Sequence, residues 1–233
     1  MSYSSMIMES ISNYPELEII DAQKIYKERF NNVPEQAFYQ AVSRMVKREK
    51  IQRVGKGIYC KPKKGKYGTI ISGEKSILEY YLGPKRNKGV IVGYRMYNLY
   101  GLTNQVSKTI EIYSNVPIED KKQIRNVSVK RLKMKFEKSV VKMIELLEVL
   151  QSYKEIEDLN TNRLIGFIEE TVQNYDEKVL QRLQNTIGYK KSTLASLKNV
   201  LDYFGIDNHV GLYLKGTSRY KSLSMEELND ITS

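Results

Sequence analysis

Apolar side chains recur along this chain with two different periods, and the change from one to the other marks its first boundary. From Pro34 to about Lys50, Phe38, Val42, Met45 and Val46 fall at i, i+4, i+7 and i+8, one stripe of the kind a helix turns toward a core. Two shorter helices are predicted ahead of it. The first covers about Ser4 to Asn13 and buries Met6, Ile7 and Ile11. The second, "DAQKIYKERF", starts at an Asp21 N-cap and turns Ala22, Ile25, Tyr26 and Phe30 inward. "NNVPEQ" interrupts the helices, and Pro34 suits a first helical turn. The period then shortens in "IQRVGKGIYCKPKKGKYG", where β-branched and aromatic runs flank Gly-Lys-Gly. That pattern predicts a tight hairpin with Lys56 at its tip, Gly55 and Gly57 supplying the positive φ of the turn. Helix, helix, helix and hairpin is the element order of a winged helix-turn-helix.

Beyond Gly68 short elements alternate. "EKSILEYYL" reads as helix, "GVIVGY" as a buried strand and "MYNLYGL" as a short helix. "TIEIYS" (Thr109–Ser114) and the basic "VSVKRLKMKF" (Val127–Phe136) read as strands. From Ser139 onward the pattern is helical, and "SVVKMIELLEVLQSY" is apolar on so many sides that deep burial is expected. The fold class predicted is α+β. A winged helix-turn-helix occupies 1–68, a small mixed α/β segment 69–136, and a helical bundle 137–233.

Charge sharpens this division. The 38 Lys/Arg and 27 Asp/Glu give a net +11, but unevenly. Residues 1–70 hold 13 basic and 7 acidic side chains, 71–135 hold 13 and 5, and 136–233 hold 12 and 15. The front of the chain attracts polyanions and the rear does not. No apolar run reaches the roughly 18 residues of a membrane span. The N-terminal residues have no basic region leading into an apolar one, so no secretory signal is expected. The single cysteine, Cys60, excludes an internal disulfide framework and accords with a reducing compartment; the cytoplasm is the expected location.

The polar faces of the third helix carry the candidate chemistry. Tyr39, Gln40, Ser43, Arg44 and Lys47 lie off its apolar stripe, with side chains that hydrogen-bond base edges or phosphates. A helix presenting them fits a major groove. Arg53, Lys56, Lys61, Lys63, Lys64 and Lys66 then follow the neighbouring backbone or minor groove, with Lys61 to Lys66 as a flexible electrostatic tether. The alternative is a solvated charged loop. "VSVKRLKMKF" also has two readings. Val127, Val129, Leu132, Met134 and Phe136 pack inward with a register break near Lys130–Arg131, or Lys130, Arg131, Lys133 and Lys135 make a second basic surface.

Signals for catalysis are poor, and no enzyme is expected. His209 is the only histidine and lies in "GIDNHVG" without a partner motif. "GKGIY" lacks the spacing and hydroxyl of a phosphate loop, and no His or Cys pair has metal-ligand spacing. Glu169, Glu170, Asp176 and Glu177 read as a solvated helix face. No cofactor, metal or catalytic residue is expected.

The segment "AFYQAVSRMVKREKIQRVGKGIYCKPK" resembles the winged-helix region of the AbiEi-like (abortive infection, type IV toxin–antitoxin) antitoxins of prokaryotes. Ser43, Arg44 and Met45 stand in that family's helix pattern, and Lys56, Gly57, Ile58 and Tyr59 in its Arg-Gly-x-Tyr turn, with lysine for the commoner arginine. "GYRMYNLYGLTNQVSKTIEIYSN" (Gly93–Asn115) is similar to the family's middle segment. The resemblance implies a transcriptional autorepressor that binds inverted repeats of double-stranded DNA in its own promoter; two copies on one inverted repeat would make a homodimer on DNA. It also implies that 69–233 counteracts a nucleotidyltransferase-like toxin of a phage-defence module, with or without a stable complex. The rival expectation is a winged-helix transcriptional regulator whose C-terminal part binds an effector or dimerises, with no toxin partner.

Overall fold

The computed structural model describes residues 2–214 and 222–232. The chain opens with α1 (Tyr3–Ser12), β1 (Ile19–Asp21), α2 (Ala22–Arg29) and α3 (Glu35–Lys47). Strands β2 (Gln52–Gly55), β3 (Ile58–Cys60), β4 (Lys63–Gly65) and β5 (Gly68–Ile70) follow. Next come α4 (Glu74–Leu82), β6 (Gly89–Val92), α5 (Tyr94–Leu99), β7 (Ile110–Ser114), β8 (Lys121–Ile124) and β9 (Val127–Arg131). The rest is helical: α6 (Lys138–Ser152), α7 (Thr161–Val172), α8 (Glu177–Thr186), α9 (Lys191–Tyr203), a 3-10 turn at Val210–Leu214, and α10 (Met225–Thr232). The fold is therefore mixed α and β. The chain forms two compact units, 1–88 with 114–131 and 89–113 with 132–233, so residues 69–136 are shared between them.

In the first unit, Ile7, Ile11, Ile20, Ala22, Ile25, Phe38, Ala41, Val42 and Met45 form one buried cluster. Ile7 and Ile11, a turn apart, take the inner face of α1, which leaves Met6 47% exposed rather than buried as its apolar character predicted. The sheet runs β1-β3-β2, antiparallel throughout, with Ile19 opposite Cys60 and Ile20 opposite Tyr59. Strand β1 has no alternation to announce it, because all three of its residues are buried. Cys60 is fully buried, and its Sγ accepts from the Ser72 backbone N–H at 3.4 Å.

Helix α3 stops at Lys47, short of the predicted Lys50, for a local reason. Glu49 adopts φ +56°, its N–H donates to the Val46 carbonyl at 3.0 Å, and the Lys50 N–H donates to the Met45 carbonyl at 3.0 Å. This is a Schellman stop with glutamate where glycine usually stands. Ile51 then turns into the core. Strands β8 and β9 make an antiparallel hairpin with Lys121 opposite Lys130 and Ile124 opposite Val127.

In the second unit, α6 buries Val140, Met143, Ile144, Leu146, Leu147, Val149 and Leu150, as its all-round apolar pattern predicts. Glu148 is the exception: a buried carboxylate whose Oε1 accepts from the Tyr113 and Tyr189 hydroxyls, each at 3.0 Å. The 93–107 stretch is built by its own polar groups. Asn98 Nδ2 donates to the Thr103 and Gln105 carbonyls at 2.7 and 2.9 Å, and Thr103 Oγ1 donates to the Glu157 carbonyl at 2.6 Å. No described helix is long and apolar enough to cross a membrane.

Candidate nucleic-acid interface

Helix α3 separates its side chains by chemistry. Phe38, Ala41, Val42 and Met45 are buried, while Gln40, Ser43, Arg44 and Lys47 are exposed. Tyr39 lies at the margin, half-buried, its ring edge-on to Phe38 at 5.3 Å. Burial, then the nearby Glu35 carboxylate, raises its phenol above the ordinary value, so it stays a neutral donor and acceptor. Arg44 and Lys47 occupy the last turn, where cations complement the helix dipole. The connection from α2 is held by the Tyr26 hydroxyl, which donates to the Val33 carbonyl at 3.1 Å.

The β2–β3 turn consists of Lys56 and Gly57, with Gly57 at φ +70° and Lys56 exposed. The Gly57 carbonyl accepts from the Ala22 N–H at 3.0 Å, so the turn is tied to the first residue of α2. Gly55 does not share the turn's backbone conformation. A Cβ there would come 3.0 Å from Ile124 Cγ2, so glycine serves close packing between β2 and β8 rather than positive φ. Arg53 is exposed, and its Nε donates to the Gly55 carbonyl at 3.2 Å.

Beneath the turn, Asp21 does two jobs. Its Oδ1 caps α2 by accepting from the Lys24 N–H at 3.2 Å, and its Oδ2 pairs with Lys122 Nζ at 3.1 Å. Glu119 Oε2 reaches the same ammonium at 3.4 Å. The sequence held no cue for this pair, because its members stand 101 positions apart.

The lysines from 61 to 66 correct the expectation of a flexible tether. Lys61 is half-buried, its Nζ donates to the Ser12 carbonyl at 3.3 Å, and its own carbonyl accepts from the Leu17 N–H at 2.8 Å. Lys63 and Lys64 belong to β4, which pairs with β5 as a separate two-stranded ribbon, Lys63 opposite Ile70 and Lys64 opposite Thr69. One wing was expected, and two cationic projections are present. The Lys56 turn and the ribbon leave opposite ends of β3, since β3 runs from Ile58 to Cys60 between them.

The second basic surface is also revised. Strand β9 ends at Arg131, whose backbone N–H donates to the Asp120 carbonyl at 2.8 Å and whose Nη1 donates to the Ile118 carbonyl at 2.5 Å. Arg131 is thus engaged in local structure and Lys130 is half-buried, whereas Lys133 and Lys135 lie beyond the strand and are exposed. The four do not form one strand face.

Charge follows the units more sharply than it follows the sequence thirds. The first unit holds 22 Lys/Arg against 11 Asp/Glu, and the second holds 16 of each, so the net +11 resides entirely in the first. Between Glu49 and Glu74 lie seven basic residues and no acid.

His209, Glu177 and Asp176 make local contacts. His209 is exposed with Nδ1 3.7 Å from Glu177, whose Oε2 also accepts from the His209 N–H at 3.0 Å. Asp176 caps α8 through the Lys178 and Val179 N–H groups at 2.8 and 3.0 Å. Among the described residues no group of three His, Cys, Asp or Glu side chains is placed to hold a metal ion.

No protein-family model matches this chain, and no curated protein matches it. Among solved structures it is similar to the crystal structure of the RV2827C protein from Mycobacterium tuberculosis. The TM-score is 0.42 at 12% identity, over 93% of this chain and 82% of that one. A likeness that distant transfers neither fold nor function.

Proposed function

We propose that the first unit is a winged helix-turn-helix that binds duplex DNA, with α2 and α3 as the two helices and α3 laid in the major groove. The observation that carries this reading is the outward row Gln40, Ser43, Arg44 and Lys47 on a helix whose opposite side is sealed in the core, within the unit that holds all of the net positive charge. Hydrogen-bonding and cationic side chains on one exposed helix face match what base edges and phosphates require. Support also comes from the order α1-β1-α2-α3-β2-β3 and the β1-β3-β2 sheet, which place the Lys56 turn beside the N-terminus of α2. Tyr39, Arg53, Lys63 and Lys64 are secondary contacts in this reading, and Lys61 is a structural lysine.

The test is retention of a duplex copied from the DNA immediately upstream of its own reading frame. Replacing Arg44, Lys47 and Lys56 together by alanine weakens binding and lowers the log–log salt dependence by about 0.9 per lost phosphate contact. Unchanged affinity and unchanged slope exclude this assignment.

We further propose that the protein is an autorepressing antitoxin of the AbiEi-like kind, opposing a nucleotidyltransferase-like toxin. This part is supported by the resemblance of residues 38–62 and 93–115 alone. Its test is co-expression with the product of the adjoining gene, scored by growth: rescue supports it, and the absence of a toxic neighbour leaves a DNA-binding regulator without a toxin partner.

A further inference from the structure

Strands β4 and β5 pair with each other as a two-stranded sheet of their own. A two-stranded ribbon alone is marginal in water. This one is firmly rooted and freely exposed. At its root, Lys61 Nζ bonds the Ser12 carbonyl at 3.3 Å, the Ser72 hydroxyl donates to the Leu17 carbonyl at 2.7 Å, and Ser72 N–H meets Cys60 Sγ at 3.4 Å. Beyond the root, Lys63, Lys64, Lys66, Thr69 and Ile70 are exposed. Its tip is the pair Lys66–Tyr67, closed by Gly68 at φ +130°. Tyr67 is 94% exposed, with Lys66 Nζ 5.5 Å from its ring centroid.

Gly65 keeps this tip thin. A Cβ there would meet Ile70 Cδ1, the end of an exposed side chain, at 2.8 Å, so glycine leaves the isoleucine room to cross the ribbon. The lysines also decide what approaches. Edge lysines oppose pairing with another protein strand, whereas they favour a polyanion. An aromatic ring among cations suits a groove that offers phosphates beside base edges and sugars.

We infer that the β4–β5 ribbon is a second DNA-contacting arm, separate from α3 and the Lys56 turn. Its tip enters the minor groove, with Tyr67 against the bases and Lys63, Lys64 and Lys66 on the flanking phosphates. The inference rests on the reading that the first unit binds duplex DNA. A tip only two residues wide suits the minor groove, which is about 6 Å across, where a whole ribbon fits the major groove. Because the arm leaves β3 at the end away from the Lys56 turn, it reaches a stretch of duplex that the turn does not cover.

The test uses the full chain and the upstream duplex, alongside a mixed-sequence duplex of the same length. Tyr67→Ala weakens binding by about tenfold, as loss of a buried apolar ring requires, with an unchanged salt slope because the ring meets no phosphate, and Tyr67→Phe restores it. Lys63→Ala, Lys64→Ala and Lys66→Ala together lower the slope by about 0.9 for each phosphate lost. Netropsin, which fills A·T minor grooves, weakens binding of the wild type more than that of Tyr67→Ala. If Tyr67→Ala binds as the wild type does while Arg44→Ala with Lys47→Ala weakens binding, the arm is excluded and the α3 reading stands. If the wild type binds neither duplex, both fall.

Discussion

Lys122 Nζ lies 3.1 Å from Asp21 Oδ2 with side-chain exposures of only 6% and 2%. The pair joins β8 to the residue that ends β1 and caps α2, and so sets the position of α2 against the Lys56 turn. Removing one member of a buried ion pair leaves the other's charge uncompensated and costs about 3–5 kcal/mol. Lys122→Met therefore lowers the urea midpoint sharply. Adding Asp21→Asn, which keeps the cap and removes the charge, recovers part of the loss. Equal midpoints for Lys122→Met and the wild type contradict this role.

The α3 terminus gives a prediction of opposite sign. Glu49 holds φ +56°, a conformation that a side chain disfavours by about 1–2 kcal/mol and glycine does not. Glu49→Gly keeps both Schellman hydrogen bonds and raises the thermal midpoint, offset in part by the extra freedom of glycine in the unfolded chain. A lowered midpoint means that the carboxylate makes a contribution larger than the strain.

Glu148 governs the second unit. Glu148→Ala takes the acceptor from two phenols, Tyr113 and Tyr189, at about 1–3 kcal/mol for each hydroxyl left without it. Glu148→Gln, which keeps an acceptor oxygen, costs less. Urea unfolding followed by tyrosine fluorescence ranks the two variants.

The same cluster sets an alkaline limit. Burial pushes the Tyr97 phenol from 10.0 up to about 12, and burial followed by the Glu148 charge raises Tyr113 and Tyr189 as well. Folded-state values above the unfolded ones mean that the unfolded chain releases protons first. The stabilisation is thus complete below pH 10 and declines as the pH rises toward 12. A urea midpoint that stays level across that window contradicts the burial of these hydroxyls.

These features differ in how far residue order announced them. The two sides of α3 were legible because Phe38, Val42 and Met45 repeat at helical spacing, and the exposure of Gln40, Ser43, Arg44 and Lys47 follows from that geometry. Strand β8 was hidden because "KKQI" is polar to read, yet Lys122 and Ile124 are its buried members. Lys61 read as a free cation because its partner, the Ser12 carbonyl, is a backbone group that sequence does not display. Gly55 read as a turn glycine because its neighbour Ile124 arrives from a distant strand. What periodicity misses in each case is a contact made across the fold.

The central claim is that the outward side of α3 grips duplex DNA. Amide hydrogen exchange of the full chain, with and without the duplex from upstream of its reading frame, tests it most directly. The expected result is slowed exchange within α2, α3 and residues 51–70, with 132–214 unchanged. Slowing confined to the neutral second unit, or no slowing under conditions where the duplex is bound, contradicts it.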